Sequence, residues 1–61
     1  MRFHTKRYDV EKYEEGNDFD STTYEVSLKE GYMFDDGSHL NYACDIEDLR
    51  SLIAEIIPET N

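Results

Sequence analysis

Asp18, Asp20 and Thr22 stand at alternate positions in "NDFDSTTYE" (residues 17–25), the spacing with which a calcium-binding loop begins. Such a loop also needs glycine at its sixth position, for a sharp turn, and a bidentate glutamate at its twelfth. Counted from Asp18, those positions hold Thr23 and Lys29, so an ammonium sits where a second carboxylate is required. A zinc site would draw on His4, His39, Cys44 and an acid, but no closely spaced pair anchors one. Ser38 and His39 are adjacent, which points their side chains apart and spoils a nucleophile–base pair. Cys44 precedes a helix start that could lower its pKa, although a cysteine there also serves as a small apolar residue. The three glycines, at 16, 31 and 37, form no phosphate-binding loop. The expectation is a protein with no metal, no cofactor and no enzymatic activity.

The clearest element that positions these residues is C-terminal. In "CDIEDLRSLIAEIIPE", Ile46, Leu49, Leu52, Ile53, Ile56 and Ile57 fall on one stripe of an amphipathic helix. Asp45 suits the N-cap, Glu47 and Asp48 suit the positive end of the helix dipole, and Pro58 stops the run. The spacing predicts a helix over 46–57. Upstream the apolar period is two. Tyr24, Val26 and Leu28 alternate with Glu25, Ser27 and Lys29, and the same phase continues to Tyr32 and Phe34 unless Gly31 bends the chain. Asp36–Gly37 carries the signal of a type I′ hairpin, after which Leu40, Tyr42 and Cys44 alternate. Tyr8 and Val10 mark a first strand with Phe3 out of phase, and "EEGND" reads as the turn that follows it.

The expected architecture is therefore α+β: a three-stranded antiparallel β-meander packed against one C-terminal α-helix, in a single small domain over 1–61. The expected core is Tyr8, Val10, Tyr24, Val26, Leu28, Phe34, Leu40, Tyr42, Leu49, Leu52, Ile53 and Ile56. A domain this small buries only about 60% of the surface its unfolded chain exposes, and one cysteine offers no internal disulfide. The lone cysteine and the absence of an apolar leader point to a reducing, cytoplasmic setting with no membrane partner.

Charge is the strongest functional signal. The formal net charge is −9, from 15 acidic and 6 basic residues. It is polarised: Arg2, Lys6, Arg7 and Lys12 outweigh Asp9 and Glu11 at the start, whereas only Lys29 and Arg50 offset the acids of residues 13–61. Such a field repels nucleic-acid phosphates and attracts basic surfaces. Five tyrosines and three phenylalanines with a regular apolar pattern argue against disorder. Tyr13 and Tyr32, if exposed beside carboxylates, suit a protein interface.

Two functional classes fit. One is an inhibitory binding protein whose carboxylates stand in for nucleic-acid phosphates, with Glu14, Glu15, Asp18, Asp20, Glu25, Tyr32, Asp35 and Asp36 as the contact residues and a basic protein or nucleoprotein as partner. In size, acidity and lack of a catalytic motif the chain resembles the small phage-encoded inhibitors of host defence, the anti-CRISPR and anti-restriction DNA mimics. This is a resemblance of class, which would imply action in a host cytoplasm. The other is a cytoplasmic interaction module or homodimer acting through a sheet edge and a helix face, a reading the basic N-terminus favours. Direct contact of Arg2, Lys6 and Arg7 with nucleic acid is opposed by the net charge. Because Lys29 replaces the required glutamate, calcium is expected to leave the melting temperature unchanged, and a saturable rise on titration would overturn the turn reading of Asp18 and Asp20.

Overall fold

A computed structural model describes residues 2–14 and 22–59. The elements run β1 (Arg2–His4), β2 (Tyr8–Glu14), β3 (Thr22–Leu28), β4 (Tyr32–Phe34), β5 (Leu40–Ala43), α1 (Ile46–Ala54) and β6 (Ile56–Pro58). Strands β1, β2, β3 and β5 form an antiparallel four-stranded sheet in the order β1-β2-β3-β5, while β4 and β6 pair as a separate two-stranded sheet. The α+β class and the C-terminal helix are as the apolar periods predict. The strand count is higher than three, and each additional strand has a local cause.

The N-terminal hairpin comes from Thr5, whose hydroxyl accepts from Tyr8 N–H at 3.0 Å and donates to Tyr8 C=O at 3.0 Å. That closes a turn over Lys6 and Arg7 and returns Phe3 opposite Val10. The period-two run does not continue past Leu28. Tyr32 N–H donates to Lys29 C=O at 3.2 Å, and Gly31 takes φ +96°, the position that a type II turn reserves for glycine. Tyr32–Phe34 is thereby redirected into the small sheet. The Asp36–Gly37 turn is not of type I′, because only the glycine has positive φ (+88°). Gly37 N–H donates to Phe34 C=O (2.8 Å) and Phe34 N–H to Ser38 C=O (2.9 Å), the three-residue hairpin with glycine in the left-handed position.

The helix starts as expected. Asp45 is extended (φ −149°, ψ 177°), and its carboxylate accepts from Asp48 N–H at 2.8 Å. It stops at Ala54, earlier than Ile57. Ile56 and Ile57 instead form a strand with Ile56 opposite Phe34 and Ile57 opposite Met33, which buries Ile56 and leaves Ile57 exposed. Two β-branched residues suit a pleated strand better than a helix end, and the stripe spacing alone does not separate the two outcomes.

The core lies between α1, the small sheet and one face of the large sheet. It comprises Tyr8, Val10, Tyr24, Val26, Phe34, Ala43, Leu52 and Ile56, with Leu28, Tyr32, Leu49 and Ile53 packed around it. Leu40 and Tyr42 are not in it: they are 47% and 55% exposed. Strand β5 pairs Asn41 with Val26 and Ala43 with Tyr24, so its odd-numbered residues share the buried face. The helix packs directly on β5, and the buried Ala43 is the small side chain on that face. A one-residue offset in phase turns every side chain to the other face. Leu52→Ala is expected to cost about 2–5 kcal/mol, against less than about 0.5 kcal/mol for Leu40→Ala. Chemical denaturation of the two variants checks this, and equal losses would refute the assigned phase of β5.

Candidate partner-binding surface

Alternation gives the large sheet a second, helix-free face, and antiparallel register arranges it in rows. One row across β1, β2, β3 and β5 is Arg2, Glu11, Glu25 and Tyr42. The next is His4, Asp9, Ser27 and Leu40, and Tyr13 lies opposite Thr23 beyond the first. A shallow depression of about 220 Å³ lies among Arg2, His4, Asp9, Glu11, Glu25 and Ser27.

Two of the four N-terminal cations, Arg2 and Lys12, are paired on this sheet. Arg2 Nη2 donates to Glu11 Oε1 at 3.0 Å, and Tyr13 Oη donates to Glu11 Oε2 at 2.9 Å. Those two hydrogen bonds, led by the guanidinium, hold the Glu11 carboxyl below its usual range. The same contacts raise Arg2 and Tyr13. Asp9 meets His4 Nδ1 at 2.6 Å and Lys29 Nζ at 3.6 Å, and its pKa is lowered chiefly by the hydrogen bond to His4. Lys12 Nζ pairs with Glu14 at 2.9 Å on the other face, which raises the lysine and lowers the acid. Glu25 differs. It stands directly opposite Glu11, has Tyr42 on its other side, and meets no basic side chain among the described residues.

The structure distributes the expected contact residues rather than gathering them. Glu14 ends β2 on the helix-side face, Glu25 sits mid-strand on the open face, and Tyr32 is half-buried against the core. Asp35 and Asp36 occupy the β4–β5 turn, close to the far end of β3 from Glu14. Seven residues of β3 place the two ends about 20 Å apart. Asp36 accepts from Ser38 Oγ at 2.6 Å and Ser38 N–H at 3.0 Å, and these bonds lower its pKa. Glu15, Asp18 and Asp20 lie outside the described residues, as does most of the "EEGND" turn. Helix α1 adds Asp45, Glu47 and Asp48 near its start, toward the Glu14 end of the sheet.

Sequence reasoning passed over Glu11 and Tyr42. Glu11 looked neutralised by its basic neighbours, and Tyr42 alternated with Leu40 like a core residue. Cross-strand register, which neither signal contains, places both beside Glu25. Cys44 is exposed, and His39 Nε2 lies 3.4 Å from Glu59. Among the described residues no three His, Cys, Asp or Glu side chains converge as a metal site would require. No family of proteins, curated protein or solved structure matches the chain.

Like charges directly opposite on neighbouring strands are unfavourable, so Glu25→Gln is expected to raise the melting temperature. The depressed carboxyls act in the opposite sense on acidification. Their contribution is present above the unfolded pKa, roughly 4, and disappears as pH falls through the lower folded values. Glu11→Gln should therefore flatten the acid limb of the stability–pH curve, which melting curves at a series of acid pH values check.

Proposed function

We propose that this chain is a small, non-enzymatic, acidic binding protein that captures a basic partner, and that it blocks a cationic nucleic-acid-binding surface by presenting carboxylates in place of phosphates. The observation that carries this reading is the uncompensated charge. Of the described acids, Asp9, Glu11, Glu14 and Glu59 meet a basic or imidazole side chain, whereas Glu25, Glu30, Asp35, Asp36 and the four acids from Asp45 to Glu55 meet none within ion-pair distance among the described residues. No charged side chain among the described residues is buried, so the negative field faces solvent. The described chain is elongated, 44 × 18 × 14 Å between Cα extremes, and its acids are spread along it. Exposed carboxylates pair with lysine and arginine much as phosphates do.

Part of the basic N-terminus fits within this reading, since Arg2 and Lys12 are engaged with Glu11 and Glu14. Lys6 and Arg7 remain exposed in the β1–β2 turn, where Arg7 lies 6.0 Å from the ring of Tyr8.

Electrostatic capture makes two demands, weakening with salt and exclusion of the partner's own nucleic acid. The experiment is affinity capture on the immobilised chain from the cells in which it occurs, followed by elution with rising salt or with duplex DNA. A basic protein released by both is the expected result. Two paired variants, Asp35→Asn with Asp36→Asn, and Glu47→Gln with Asp48→Asn, should each shift elution to lower salt. A captured protein that resists salt, ignores both variants and binds nucleic acid at the same time would refute mimicry.

A further inference from the structure

Strand β5 forms one edge of the large sheet, and the register identifies which of its backbone groups face outward. Leu28 N–H donates to His39 C=O at 3.0 Å, so residues 39, 41 and 43 turn their backbone groups toward β3. Leu40 and Tyr42 therefore turn theirs away from the sheet. Tyr42 N–H is capped by the Asn41 side chain, whose Oδ1 accepts it at 2.9 Å. Sheet edges are ordinarily guarded by charged side chains, proline or bulges. This one has none. "SHLNYAC", residues 38–44, contains no Asp, Glu, Lys or Arg in a chain that is 34% charged. It also carries two largely exposed apolar side chains, Leu40 and Tyr42, on a single face.

We propose that a second copy of the chain occupies this edge, through antiparallel pairing of β5 with β5 of the partner about a two-fold axis at Asn41. Only the outward-facing residues can exchange ladder hydrogen bonds, and an axis at Asn41 sets Leu40 opposite the partner's Tyr42. Leu40 N–H donates to the partner's Tyr42 C=O, and the partner's Tyr42 N–H, released from its Asn41 cap, donates to Leu40 C=O. Symmetry repeats the exchange on the other side of the axis. Both side chains of each pair lie on the open face, so each leucine packs against a tyrosine, and the two most exposed apolar residues of the sheet cover one another.

Charge decides between a second copy and a basic strand from another protein. The strip offers a cation no carboxylate on its own strand, whereas its apolar pair is self-complementary. Repulsion between copies does not forbid the pairing. Glu25 and the partner's Glu25 would stand three strand spacings and two residues apart, roughly 16 Å, against a screening length of about 8 Å at physiological salt.

Sedimentation over a wide concentration series tests the proposal. The expected result is a concentration-dependent dimer that tightens as salt rises, because screening relieves repulsion between two chains of net charge −9. That is the opposite salt dependence from capture of a basic partner, so either reading can fail without the other. Leu40→Lys, at an exposed position, should leave the fold intact by circular dichroism and abolish the dimer. Asn41→Cys in a Cys44→Ser background should cross-link on oxidation, since the residues on the axis form a close, non-hydrogen-bonded pair with Cα atoms about 4.5 Å apart. A monomer at every concentration, a dimer indifferent to Leu40→Lys, or a dimer that Asn41→Cys fails to cross-link would each overturn the proposal.

Discussion

The structure depends on the seating of α1 against β5. A nine-residue helix is marginal by itself and is held by packing, here of Leu52 into a core shared with Ala43, Val26 and Phe34. The helix-side face of β5 carries Asn41 and Ala43, and the small, buried Ala43 accommodates the helix. Once that face is fixed, Leu40 and Tyr42 must project from the other side of the sheet. The apolar contribution of β5 to the open face and the exposure of Tyr42 beside Glu25 follow from this one packing contact.

Electrostatics divides the chain differently from its folding units. In the first half, cations and acids alternate along β1 and β2 so that register pairs Arg2 with Glu11, and His4 with Asp9. These exposed pairs contribute little to stability, but they cancel the local field. From Glu30 onward, two of the acids shape the backbone as turn and cap residues. Asp36 stabilises its turn through Ser38, and Asp45 caps α1 through Asp48 N–H. Both roles satisfy backbone donors without neutralising charge. Local structure thus uses these carboxylates and still leaves their charge available to a partner.

The two surfaces proposed for interaction are complementary in character. Capture of a basic partner draws on acids at both ends of β3 and along the helix, whereas self-association draws on the one uncharged strand. A chain whose edge strand itself carries no charge can support both, because the long-range field steers cationic surfaces and short-range packing acts only at contact.

The sequence by itself determined the elements governed by local rules. These are the α+β class, the N-cap at Asp45, the alternating faces of β2 and β3, the bend at Gly31 as one of two readings, and most of the core from Tyr8 to Leu52. Each follows from period, capping or turn chemistry within a few residues. Tertiary structure decided what pairing alone can settle. Thr5 closed an additional hairpin, β4 found β6 instead of extending β3, and Ile56–Ile57 left the helix to make that pair. The phase of β5 inverted because an alternating strand fits either face equally well until something packs on one of them. The open face was legible only as a list of acids and tyrosines. Its rows, and the isolation of Glu25 between Glu11 and Tyr42, exist only in cross-strand register, a relation between residues far apart in the chain.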